Sequence, residues 1–138
     1  MKLIKTLLTI IFISLLSSPS WSVNFDDLVK REGIYYEKFT DVPFTGKVTG
    51  KYQGVIKNGK EDGAWIGYRE NGQLWYKENY KNGKKEGAWV SYWMNGQLYY
   101  KGNYKSNKKE GVWFSYNIDG TVFKPWTGTF KDGKKIRD

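Results

Sequence analysis

From residue 33 to the C-terminus, apolar and polar side chains alternate in short runs, and each run is closed by a turn signal. An apolar period of two marks a half-buried strand, because successive side chains leave a pleated strand on opposite faces. The period is itself repeated. Gly63-Ala64-Trp65, Gly87-Ala88-Trp89 and Gly111-Val112-Trp113 recur every 24 residues, followed by Tyr68, Tyr92 or Tyr116 and then by Asn71-Gly72, Asn95-Gly96 or Asp119-Gly120. The blocks that begin at Gly63 and Gly87 agree at 16 of 24 positions. A second signal separates them: Lys57-Asn58-Gly59-Lys60, Lys81-Asn82-Gly83-Lys84, Lys105-Ser106-Asn107-Lys108 and Lys131-Asp132-Gly133-Lys134. Asn-Gly and Asp-Gly suit the type I′ turn, which needs φ > 0 at both central residues.

Each repeat therefore reads as two antiparallel strands. The predicted fold is all-β, an antiparallel meander of tandem 24-residue hairpins forming a single-layer or gently rolled sheet. Repeats are expected over 63–86, 87–110 and 111–135, with 33–62 as a degenerate capping repeat of the 33–138 domain. The last turn signal arrives two residues late, with Pro125 and Trp126 in between, which suggests a bulge or an atypical closing repeat. Over 23–32, Phe25 to Arg31 is expected to form a short helix capped by Asn24. The Asn-Gly tips at 71, 95 and 119 should line one edge of the sheet and longer, lysine-rich loops the other.

Alternation sorts the strands into two faces. One collects Ala64, Ile66, Tyr68, Leu74, Tyr76, Tyr80, Ala88, Val90, Tyr92, Leu98, Tyr100, Tyr104, Val112, Phe114 and Tyr116, and is the expected core. The other collects Trp65, Trp75, Trp89, Trp93, Tyr99 and Trp113 among Ser, Asn and Lys. A bulge at the Gly-x-Trp corner would exchange them.

Residues 1–22 stand apart from this pattern. Lys2 and Lys5 precede an apolar run from Leu7 to Leu16, and Ser20-Trp21-Ser22 places small residues at the −3 and −1 positions, so these residues read as an export signal cleaved after Ser22. A periplasmic or secreted protein is expected. The formal net charge is +9. The chain contains neither His nor Cys, which removes the commonest general base, the thiol nucleophile, soft metal ligands and disulfides. No cofactor and no metal are expected. The recurrent acids Glu61, Asp62, Glu86 and Glu110 stand beside lysines, a poor setting for the raised pKa that an acid catalyst such as a glycosidase needs; the chain reads as non-enzymatic.

The motif Gly-x-Trp-x-x-Tyr-x-x-Asn-Gly-Gln-Leu, with Tyr-Lys-Asn-Gly-Lys-Lys-Glu-Gly between copies, resembles the bacterial variant of the MORN repeat, over about residues 33 to 135. Pro43-Phe44-Thr45-Gly46 after a Tyr-rich strand resembles the opening of the YwqK-like antitoxin family. The resemblance implies a hairpin meander that acts by protein interaction or at membrane surfaces, without catalytic residues. An antitoxin- or immunity-like role follows from the family label.

Two surfaces are candidates for binding. Trp65, Trp75, Trp89, Trp93, Tyr99 and Trp113 either stack on glycan or anchor a protein partner, or else pack as a cross-strand ladder that only holds the sheet together. Lys84, Lys85, Lys108 and Lys109 belong to a basic rim that either docks on anionic lipid, lipopolysaccharide or an acidic protein, or serves solubility. Glycan recognition is the alternative function. Nucleic acid is a poor partner for an exported chain, and the two free sheet edges leave edge-to-edge self-association open.

Overall fold

The computed structural model describes residues 21–138. The export signal expected over residues 1–22 lies outside the described residues, apart from Trp21 and Ser22. The strands are β1 (Ser22–Asn24), β2 (Leu28–Arg31), β3 (Ile34–Glu37), β4 (Gly46–Thr49), β5 (Tyr52–Lys57), β6 (Lys60–Tyr68), β7 (Leu74–Lys81), β8 (Lys84–Lys85), β9 (Gly87–Tyr92), β10 (Leu98–Lys105), β11 (Lys108–Ser115), β12 (Gly128–Lys131) and β13 (Lys134–Arg137). An 11-stranded sheet runs in the order β1-β4-β5-β6-β7-β9-β10-β11-β12-β13, with β8 also on β7. From β4 onward every neighbour is antiparallel, and only β1 lies parallel, on β4. The fold is an all-β meander of tandem hairpins, open at both ends. One end is a strand of three residues, and the other carries Lys134, Lys135 and Arg137, the kind of short or charged edge that discourages pairing with another sheet.

Two expectations at the N-terminus are corrected. No α-helix forms between Phe25 and Arg31: Phe25–Asp27 make one 3-10 turn, Asn24 Oδ1 accepts the Asp26 N–H at 3.0 Å, and the chain continues as β2. Leu28–Arg31 pair with Ile34–Glu37 across Glu32-Gly33, and that pairing wins because an isolated helix of two turns is too short to persist. The stretch 33–62 also divides. Its β3 leaves the ladder to form a separate two-stranded sheet with β2, while β4 and β5 join the main sheet.

The two edges hold the turns expected of them, but the loop lengths are the reverse of those expected. Asn58-Gly59, Asn82-Gly83, Ser106-Asn107 and Asp132-Gly133 all have φ > 0 at both residues, so the lysine-rich turns are the tight two-residue ones. The tips at 71, 95 and 119 instead sit in the longer loops 69–73, 93–97 and 117–121, which are closed by Arg69 N–H to Gln73 O, Trp93 N–H to Gln97 O and Asn117 N–H to Thr121 O, each at 2.8 Å. Only the glycine of each tip is left-handed there, at φ 82°, 83° and 84°.

The core face is only partly the one expected: Tyr76, Tyr80, Tyr100 and Tyr104 lie on it, but with the tryptophans in place of Ala64, Val112 and Phe114. A register shift beside Tyr68 makes even-numbered residues of β7 meet odd-numbered ones of β6, as the two-residue turn that pairs Lys81 with Lys84 does between β7 and β8, and residues directly opposite share a face. Trp65 pairs with Glu78, Gly67 with Tyr76 and Gly63 with Tyr80. The tryptophans therefore share a face with Tyr76 and Tyr80, away from Ala64 and Ile66. Trp65, Trp89 and Trp113 are 4%, 5% and 1% exposed, whereas Val112 and Phe114 are 53% and 40% exposed. Two clusters of buried side chains result. Phe44, Val48, Ile56 and Trp65 form one, Trp89, Trp113 and Phe130 the other, and Tyr80 packs against both. In the late closing repeat, Phe130 lies opposite Gly111, the place that Tyr80 and Tyr104 hold opposite Gly63 and Gly87.

Candidate functional site

Each buried tryptophan is fixed by the same device. Its indole Nε1–H donates to a backbone carbonyl ten residues earlier: Trp65 to Val55 at 3.2 Å, Trp89 to Asn79 at 3.0 Å and Trp113 to Asn103 at 3.0 Å. To do so the indoles of Trp65 and Trp113 cross the neighbouring strand at Gly54 and Gly102, where a Cβ would collide with the ring, whereas the equivalent position for Trp89 is Glu78. As exposed stacking platforms, Trp65, Trp89 and Trp113 are therefore ruled out. They form the ladder of the alternative reading, with Tyr80 5.3 Å and Tyr104 4.9 Å from the Trp89 ring, both edge-on.

The other aromatic candidates are half-buried. Register shifts beside Tyr68 and Leu98 leave Trp75 and Tyr99 as the extra residues of β-bulges, which turns them toward the same face as Tyr76 and Tyr100. Their carbonyls accept the hydroxyls of Ser91 and Ser115, both at 3.2 Å. Trp93 donates its indole N–H to Tyr116 O at 2.9 Å, as Arg69, one repeat earlier, donates to Tyr92 O at 2.8 Å. Trp93 thus ties one repeat to the next.

The four candidate lysines separate by parity. Lys84 and Lys108 are exposed. Lys85 and Lys109 turn inward: the Lys85 ammonium lies 4.6 Å from the Trp89 ring centre and 5.0 Å from that of Tyr104, and Lys109 lies 4.5 Å from Trp113 and 4.9 Å from both Trp126 and Phe130. These are cation–π distances. Burial, reinforced by the nearby Lys85 charge, holds the Lys109 ammonium below its ordinary pKa.

The acids on this edge are taken up by the backbone. Asp62, Glu86 and Glu110 each accept an N–H from the next turn, from Asn82 at 3.4 Å, Ser106 at 2.7 Å and Asp132 at 3.0 Å. Asp62 also pairs with Lys57 at 2.6 Å, and hydrogen bonding to that ammonium holds its carboxyl below the usual range. The turns are stacked by these clamps and by Gly83 N–H to Glu61 O, Asn107 N–H to Lys85 O and Gly133 N–H to Lys109 O. Lys57, Lys81, Lys84, Lys105, Lys108, Lys131 and Lys134 stand exposed along the resulting edge.

A concave site absent from the sequence expectations lies on the core face at the first repeat. It measures about 320 Å³; Trp65, Trp75, Tyr76 and Tyr80 meet Phe25, Tyr35 and Tyr52 around it, with Glu61 and Glu78 among them. Tyr80 donates its hydroxyl to Glu78 Oε2 at 2.8 Å, and Lys30 pairs with Glu61 at 3.2 Å. Burial raises the pKa of the Glu78 carboxyl despite that hydrogen bond, and burial with the neighbouring glutamates raises those of Tyr35, Tyr76 and Tyr80. Glu78 was legible as an exception to the repeat, since Gly54 and Gly102 occupy its place in the adjoining units. Among the described residues, no group of acidic side chains is placed to hold a metal ion.

The fold and these surfaces define an open β-hairpin repeat protein with a lysine-lined edge and an aromatic, acid-bearing cavity at its first repeat. No family model, no curated protein and no solved structure matches the chain.

Proposed function

We propose that this is an exported, non-catalytic binding module of the MORN-like kind, which docks on an anionic envelope surface, phospholipid or lipopolysaccharide, through its tight-turn edge. The observation that carries the reading is the separation of charge on that edge. Seven lysines are exposed there, of which only Lys57 is ion-paired among the described residues, with Asp62, while Asp62, Glu86 and Glu110 each accept a backbone N–H. The opposite edge is nearly neutral, its connections holding Lys51, Arg69 and Lys124 against Glu70 and Asp119. Alternate strands place successive tight turns roughly 10 Å apart, near the Debye length of about 8 Å at physiological salt, so their fields overlap. Each lysine near an anionic membrane contributes about 1 kcal/mol.

The resemblance to the antitoxin family extends the same reading to an acidic protein partner. Glycan stacking is disfavoured by the burial of Trp65, Trp89 and Trp113. Self-association through sheet edges is disfavoured by the short β1 and the charged β13.

Co-sedimentation with vesicles tests the proposal. Binding should appear only when anionic lipid is mixed into zwitterionic vesicles, fall with salt, and weaken about thirtyfold in Lys84→Gln/Lys108→Gln, the equivalent of about 2 kcal/mol. Equal binding to both vesicle types, or no loss in that variant, would refute it.

A further inference from the structure

The repeats differ at one functionally telling place. In the second and third units a lysine, Lys85 or Lys109, holds its ammonium over the rings of its own unit, Trp89 with Tyr104 or Trp113 with Phe130. In the first unit the corresponding residue is Glu61, and the corresponding rings are Trp65 and Tyr80. A second exception lies beside it, because Glu78 stands where the neighbouring units have Gly54 and Gly102. Both exceptions act in the same electrostatic direction. Aromatic faces are already negative at their centres, and two carboxylates among them deepen that potential.

The two carboxylates are not equivalent. Glu61 has Lys30 at 3.2 Å, and that ammonium also lies 4.4 Å from the Tyr35 ring, at one side of the cavity. Glu78 accepts the Tyr80 hydroxyl and feels the Lys85 charge, but it takes part in none of the ion pairs among the described residues. A partly buried carboxylate without a directly paired cation is costly unless something compensates it. The cavity, at about 320 Å³, falls in the range of small-molecule sites, about 300–1,000 Å³.

We propose that this first-repeat cavity binds a primary alkylammonium group from outside the chain, seated over Trp65 and Tyr80 with its charge met by Glu78. The ligand stands in for the lysine that the later repeats supply themselves. This inference does not depend on the lysine edge, which lies at the turns and not on the core face.

The test is titration of the protein with n-butylammonium, followed by the Trp65 indole N–H resonance and by tryptophan fluorescence. A saturable response is expected, with no comparable response to n-butanol. Glu78→Gln should weaken binding at least about tenfold, or about 1.4 kcal/mol, while Glu70→Gln, on an exposed loop, leaves it unchanged. Glu61→Lys combined with Lys30→Gln installs the resident ammonium of the later repeats and should abolish binding. Far-UV circular dichroism identifies variants that remain folded, and Tyr80→Phe replaces Glu78→Gln if the latter does not. Tighter binding of phosphoethanolamine or of lysine amide than of butylammonium would identify the source of the amine as a head group or a protein side chain. No saturable shift at Trp65, an equal response to butanol or to a neutral sugar, or undiminished binding by the folded Glu78 variant would overturn the proposal.

Discussion

The indole N–H of Trp89 reaches across its sheet to the carbonyl of Asn79, 3.0 Å away. Because Trp65 and Trp113 make the same bond to Val55 and Asn103, the hydrogen bond is a property of the repeat and not of one site. Trp89→Phe keeps a ring but strands the carbonyl, and should cost about 1–3 kcal/mol in urea unfolding. Trp89→Ala also loses the packing and should cost about 3–5 kcal/mol. An undiminished stability in Trp89→Phe would mean that the bond contributes nothing.

Gly102→Ala places a methyl group against the Trp113 indole. Overpacking of this kind costs about 1–3 kcal/mol, and the altered fluorescence of Trp113 should accompany it. Gly96 has open space around it, but its φ is 83°. Gly96→Ala should therefore cost about 1–2 kcal/mol by backbone strain alone, with no change at Trp113.

Adjacent lysines should behave differently. Lys109→Ala removes an ammonium from above Trp113 and Phe130 and should lower stability by about 0.5–1 kcal/mol. Lys108→Ala, at an exposed position, should change it by less than about 0.5 kcal/mol. Matching melting curves for the two variants would contradict the inward orientation of Lys109.

Glu78 gives stability a specific pH dependence. Burial raises its carboxyl pKa in the folded protein, so the folded chain holds this proton to higher pH than the unfolded chain does. Its unfavourable contribution is absent at pH values below the unfolded pKa and grows as pH rises through the folded one. Glu78→Gln should accordingly melt above the wild type at neutral pH, and the gap should close on acidification. A gap that is constant with pH would assign the effect to packing.

The turns and strands were readable because each rests on local chemistry: Asn82-Gly83 and Asp132-Gly133 accept left-handed conformations, and the alternation around them has a period of two. What a list of alternating residues does not contain is the parity change across a turn. The bulge at Trp75 moves Tyr76 and Tyr80 to the side of Trp65, and the turn that pairs Lys81 with Lys84 makes the same exchange towards the next repeat; the bulges at Trp75 and Tyr99 were invisible in the alternation. The first-repeat cavity was hidden for another reason. Glu61 and Glu78 are distant in sequence from Phe25 and Tyr35, and only the folding of β2 and β3 over the end of the sheet brings them together. Their departure from the repeat was nonetheless written in the chain, as a Glu at the position of Lys85 and Lys109 and another at the position of Gly54 and Gly102.

The acid clamps also give the array a polarity. Asp62, Glu86 and Glu110 each secure the turn that follows, but the corresponding place after the final turn belongs to Ile136, an exposed aliphatic side chain with no oxygen to offer. A further hairpin appended there would find a strand to lie against and nothing to grip its turn. The molecule thus carries its own stop signal, and lengthening it by whole units should succeed between existing repeats and falter at the C-terminal end.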